Sequence, residues 1–207
     1  MTPTILDFVF EAGNLALDLA NTRPLSNGRP VDHLATDDAA DAWLAAAELT
    51  ERGALLGSDA PTRAALLDGL KALRDSAAEV AMAVRDATQV DDAHLNRLNR
   101  VLATRTWSRH IVRGVGGFKT REIPTDLVPA ACLVPIAEAA AALLGEVDPA
   151  RVRQCDDASC VLWFVDTTRN GSRRWCSMER CGNRAKSAAH YRRAKRAPQG
   201  SAGRETN

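Results

Sequence analysis

The stretch CDDASCVLWFVDTTRNGSRRWCSMERCGNR, residues 155–184, decides how the C-terminal part of this chain folds. It holds two cysteine pairs, Cys155 with Cys160 and Cys176 with Cys181; four residues separate the members of each pair and fifteen separate the pairs. A structural zinc ion takes four thiolates in a tetrahedron, and a small module supplies them two at a time from two turns. Clustered cysteines in a reducing compartment are more often metal ligands than disulfides. Between the pairs the sequence passes from an apolar run to a polar turn at Arg169, Asn170 and Gly171 and returns toward Trp175, which predicts a hairpin that brings the pairs together. Ser177 stands where a helix N-cap would, so Cys181 falls in a first helical turn, where the helix dipole favours a thiolate. The expected layout is a treble clef or zinc ribbon, a hairpin followed by a helix. An iron–sulfur cluster also satisfies four cysteines, and four packed thiols are the alternative without metal. All four local ligands are used, which leaves no open position for a catalytic ion.

Charge divides the chain. Residues 1–150 hold 14 basic and 21 acidic side chains, whereas residues 151–196 hold 12 basic and 4 acidic. A helical wheel counted from Cys181 sets Ala185, Ala188 and Arg192 toward the metal, and Asn183, Lys186, Ser187, His190 and Arg193 on the opposite face. Such a face suits a DNA groove, with Lys and Arg on phosphates and Asn or Arg reading base edges. The turn adds Arg169, Asn170, Arg173 and Arg174, which can reach phosphates beside the helix. Some of these cations serve equally well to balance the thiolates.

The rest of the chain reads as helical. A first helix is expected on GNLALDLANT, then a loop containing Pro and Gly, then a helix capped by Thr36 with Asp37 and Asp38 in its first turn. Residues 61–87 place Leu66, Leu67, Leu70, Leu73, Ala77, Val80, Ala81 and Val84 on one stripe, with Pro61 at the start. A shorter helix carries Leu95, Leu98 and Leu102. Residues 104–123 alternate apolar and polar around a glycine-rich turn and predict a small β-hairpin. DLVPAACLVPIAEAAAALLGEV reads as a core helix kinked at Pro135, with Cys132 inside it as a small hydrophobe. The fold class is therefore mainly α: a helical domain over 1–147 with a small hairpin, a four-cysteine module over 148–196 and a disordered tail over 197–207. The N-terminus lacks a basic leader and its apolar residues are interrupted by Asp7, Glu11 and Asp18, so a cytoplasmic protein without a membrane span is expected.

The segments CDDASC, FVDTTRNGSRRWCSMERCGNRAK and the following YRR resemble the CGNR zinc-finger family, whose tetrapeptide stands here as Cys181, Gly182, Asn183 and Arg184. Upstream, FEAGNLALDLANTRP resembles the opening of the ABATE-type domain that accompanies this finger in bacterial proteins regarded as stress-induced transcription regulators. The resemblance implies a helical N-terminal domain and a zinc-bound, DNA-binding C-terminal module. It implies that Cys155, Cys160, Cys176 and Cys181 are the ligands. It also implies that Arg169, Asn170, Arg173, Arg174, Asn183 and Arg184 lie near the metal or the nucleic acid.

A regulator needs something to sense, and the acidic half offers Asn21, Arg23 and His33 as candidate ligand-binding residues, with Trp43 and Trp107 as further candidates. Each also has a plain structural role as a cap, a loop residue or part of the core. No catalytic triad, phosphate loop or metal-binding His pair is present, so a non-enzymatic protein is expected. The expected partners are DNA, a small-molecule effector and a second copy of the chain in a homodimer. The alternatives are an RNA-binding or protein-docking finger, and an enzyme in the helical domain that carries a structural finger.

Overall fold

The computed structural model describes residues 8–50, 57–105, 107–124 and 129–196. The expected tail over 197–207 lies outside these residues, as does the side chain of Trp107. Helix α1 (Leu15–Ala20) leads to a short ribbon of β1 (Leu25–Ser26) and β2 (Arg29–Pro30), then to α2 (Asp37–Ala46), α3 (Ala60–Asp86) and α4 (Asp92–Leu102). The strands β3 (Trp107–Gly114) and β4 (Gly117–Pro124) follow, then a 3-10 turn at Pro129–Leu133 and α5 (Val134–Gly145). The C-terminal module contains β5 (Val152–Gln154), β6 (Trp163–Val165), a π-helical turn at Met178–Gly182 and α6 (Asn183–Arg196). Among the described residues helices dominate, with three two-stranded antiparallel ribbons. Among the described residues, no helix is long and apolar enough to cross a membrane.

The caps explain where the helices begin. The Thr36 hydroxyl accepts the Ala39 N–H at 3.2 Å and starts α2. Asp59 accepts the Thr62 N–H at 2.8 Å ahead of Pro61, which needs no donor in a first turn. The α3 stripe is buried at Leu66, Leu70, Leu73, Ala77, Val80, Ala81 and Val84, and Leu67 lies at its half-buried edge. Pro135 does not kink a helix. The 3-10 turn changes to α-helix just ahead of it, so its ring occupies the first turn of α5, where the missing N–H costs nothing. Cys132 therefore belongs to the 3-10 turn and is half-buried; burial still pushes its thiol up to about 11.

Six-residue α1 is far below the length at which a helix is stable alone, so it exists because its surroundings hold it. Ala16, Leu17 and Leu19 are buried, and the helix packs against α3 and α5. Asn14 makes both of its bonds count: its carbonyl oxygen accepts from Ala16 and Leu17, and its amide donates to the Ala139 carbonyl on α5 at 2.9 Å. Trp43 is fully buried in the same core. Arg74 of α3 is also buried, and forms a two-pronged ion pair with Asp32 at 2.5 and 3.0 Å, with a further bond to the Thr22 hydroxyl. That guanidinium holds the Asp32 carboxyl down at about 2.

Asp18 is the opposite case. Burial raises its carboxyl to about 6, against the lowering effect of the Ala12 N–H that it accepts at 3.0 Å and with the charge of Glu11 adding to the rise. The folded chain thus binds this proton more tightly than the unfolded one, and stability falls as pH rises from about 4 to about 6. Asp18→Asn keeps an acceptor for Ala12 and removes the buried charge. It should raise the melting temperature at pH 7, with the gain shrinking below pH 6 and gone near pH 4, in thermal scans across that range.

Candidate metal centre

The first cysteine pair lies between β5 and β6. Those strands pair antiparallel, Val152 with Val165, Arg153 with Phe164 and Gln154 with Trp163, and the turn that joins them is CDDASC with its flanks. The hairpin expected between the two pairs is thus displaced upstream: the segment returning to Trp175 forms no strand and meets the first turn through one backbone bond, Asp156 N–H to Arg174 C=O at 2.9 Å. The turn is tightened by the Cys155 N–H to the Leu162 carbonyl, by the Cys160 N–H to the Asp157 carbonyl, and by Asp157 accepting from the Ser159 N–H and hydroxyl. The second pair brackets the π turn. Ser177 occupies the N-cap position without a side-chain cap bond; its carbonyl accepts from Cys181 and Gly182.

The four sulfur atoms converge to within 4.8 Å of one another. Cys160 and Cys176 are 3.7 Å apart and Cys176 and Cys181 3.5 Å. Four thiolates at about 2.3 Å from a tetrahedral ion stand about 3.8 Å from each other, so the donor set and its spacing suit such an ion. Cys155, Cys176 and Cys181 are buried and Cys160 half-buried, and none forms a disulfide. As free thiols they cannot all ionise: bonding from Cys176 pulls Cys160 down to about 5, the same contact drives Cys176 up, and burial pushes Cys181 up to about 12. Four thiolates in one place need a cation.

Three arginines brace the centre. Arg184 donates from Nε to Asp157 at 2.8 Å and from Nη2 to the Cys181 sulfur at 3.2 Å, which joins the two turns. Arg173 lies over the Phe164 ring at 4.4 Å and donates to the carbonyls of Trp175, Cys176 and Glu11. Arg174 pairs with Asp156 at 2.7 Å and covers Trp175. Buried Asp166, which sequence reading passed over, organises the TTRNG turn by accepting from the Thr168 N–H and hydroxyl and from the Arg173 N–H. Its signal was present as an Asp two residues ahead of a Thr, an Asx-turn pattern. Gly171 closes that turn at φ +62°, a conformation that side chains disfavour.

The remaining nominated residues fall into two groups. Arg169, Asn170, Asn183, Lys186, His190 and Arg193 are all exposed. Among the described side chains of α6, Ala185 is half-buried as the wheel expects, the next half-buried position is Ala189 and not Ala188, and the side chain of Arg192 lies outside the described residues. The spacing of Ala185 and Ala189 is that of one α-helical turn. Of Asn21, Arg23 and His33, Asn21 and His33 share one cleft and Arg23 lies apart. Asn21 is buried and pairs with the Trp163 backbone in both directions, donating to its carbonyl at 2.9 Å and accepting its N–H at 2.8 Å. His33 lies edge-on to Phe8 and, with Asn21, lines a cleft of about 230 Å³ that also meets Leu25, Leu162, Arg180 and Arg184. Arg23 forms an exposed pair with Asp75 instead.

A helical domain carrying a four-thiol hairpin-and-helix module defines a zinc-finger type of protein. The model of the CGNR zinc finger matches residues 151–194. Residues 13–147 match the ABATE model, described as "Putative stress-induced transcription regulator", and the chain belongs to that family. Comparison with curated proteins gives no match.

Asn21 is a buried joint between the two matched regions. Asn21→Ala leaves a buried N–H and C=O of Trp163 without partners, and should cost about 2 kcal/mol or more in urea denaturation. Arg23→Ala, which removes only an exposed ion pair, should cost about 0.5 kcal/mol or less in the same assay.

Proposed function

We propose that this chain is a DNA-binding transcription regulator whose four cysteines hold a structural zinc ion and whose helical domain senses an effector. The observation that carries the reading is the exposed face of α6 beside the four-thiol centre, where Asn183, Lys186, His190 and Arg193 stand clear of the protein. Lys186 and Arg193 would neutralise phosphates, His190 would donate to them, and Asn183 at the helix start would meet base edges. Arg169 and Asn170 extend that surface from the turn. Arg173, Arg174 and Arg184 act differently on this reading: their guanidinium groups hold the turns in register, so they position the surface. When bound, zinc supplies a four-thiolate cross-link and no reaction.

The effector would enter the cleft between α1 and the finger, where His33, Arg180 and Arg184 supply polar groups on an apolar floor. A homodimer with paired half-sites fits a regulator of this kind. The RNA alternative gains little, because Trp163 and Phe164 are buried and Trp175 half-buried, which leaves Tyr191 and the His190 imidazole as the exposed rings of the finger.

Purified full-length protein should carry about one zinc per chain, and Cys176→Ser should lose both the metal and the protease resistance of residues 151–194, since metal affinity is folding free energy in such modules. Retention of both by the variant contradicts the ligand set. Selection of genomic fragments at moderate salt should then enrich a defined motif; zinc-loaded protein that enriches none points to RNA or a protein partner.

A further inference from the structure

We infer that the β3–β4 hairpin is a second duplex-DNA contact, a basic ribbon that lies in a groove of the same molecule that α6 engages; the inference rests on the DNA-binding reading above. Three observations carry it. The first is placement. The eight-residue strands pair from Trp107 with Pro124 to Gly114 with Gly117, pack chiefly on each other, and leave Arg109, His110, Ile111, Arg113 and residues 115–122 exposed. An isolated hairpin in water is marginally stable and its edges invite pairing, so an arm that serves only the fold has no reason to be this long.

The second is charge. Residues 107–124 hold four Lys and Arg against one Glu, while the rest of residues 1–150 hold ten basic against twenty acidic side chains. The arm is thus a positive island on an acidic domain. The single carboxylate, Glu122, pairs with Arg109 at 3.2 Å. On the other face His110 stands directly opposite Arg121, and Lys119 lies one pair further along opposite Val112. Lys119 and Arg121, two residues apart on β4, thus share that face, and like charges gathered on one face of a ribbon are unfavourable unless a polyanion lies against them. A second copy of the arm would bring more positive charge to the same place, which is why duplex DNA and not self-pairing is the occupant.

The third is shape. A strand of this length extends about 27 Å, and the B-DNA major groove admits a two-stranded ribbon. The tip carries Val115, wholly exposed, and Phe118, about three-quarters exposed, with the Arg113 guanidinium over the Phe118 ring at 5.6 Å. Apolar groups at the end of a basic ribbon can meet thymine methyls or wedge between bases.

The test measures affinity for a mixed-sequence duplex against salt, with full-length zinc-loaded protein, for wild type, Arg113→Ala/Lys119→Ala/Arg121→Ala and Lys186→Ala/Arg193→Ala. The arm positions are exposed, and unchanged zinc content and circular dichroism verify folding. Each lost phosphate contact should make the log–log salt slope shallower by about 0.9, so the arm variant should lose about 2 to 3 from the slope. Its low-salt affinity should fall at least tenfold. Wild type that binds while the arm variant matches it in slope and affinity overturns the arm alone, and a matched affinity with a changed solution mass reassigns the arm to assembly. Wild type that does not bind the duplex overturns the DNA reading and the arm together.

Discussion

Four sulfur atoms held within 4.8 Å of one another form the constraint on which the C-terminal module depends. A segment of this size cannot bury enough apolar surface to fold unaided, and thiols forced together without a cation hold their protons unequally. Everything near the cluster is arranged around that problem. The turn between β5 and β6 supplies one pair, a π turn supplies the other, and Arg184 reaches from the second to the first through Asp157 and the Cys181 sulfur. A guanidinium beside a thiolate lowers the electrostatic cost of gathering four negative charges.

The module is also welded to the helical domain. Val165 donates to the Ala12 carbonyl at 2.7 Å, Arg173 reaches the Glu11 carbonyl, and the Asn21 amide pairs with Trp163 as a neighbouring strand would. Leu162, Trp163 and Phe164 join the hydrophobic cluster that includes Leu17, Leu70 and Ile136. The cleft bounded by His33 and the finger arginines therefore lies at a joint between the two regions.

Much of this was legible in the sequence because the signals are local. Thr36, Pro61 and the leucine stripe of α3 report helix starts and faces through spacing alone, and the cysteine spacing reported the cluster. The rest depended on partners far along the chain. Asn21 pairs across 142 positions of sequence, and nothing in its neighbourhood distinguishes a strand-mimicking amide from a helix cap or a ligand contact. Arg173 and Arg184 read either as DNA contacts or as charge balance for the thiolates, because composition counts charge without showing which carboxylate, carbonyl or sulfur each one meets. The kink expected at Pro135 went astray because a continuous α-helix was assumed where the chain begins with a tighter turn.

The amide pairing of Asn21 bears on how such a protein can be inherited and re-engineered. A finger attached by a linker can be cut out and grafted onto another body. Here the graft would carry away Trp163 and leave α1 with an orphaned amide and a bare apolar strip. Two segments that look separable on a map of the chain are halves of one interlocked piece, exchangeable only together.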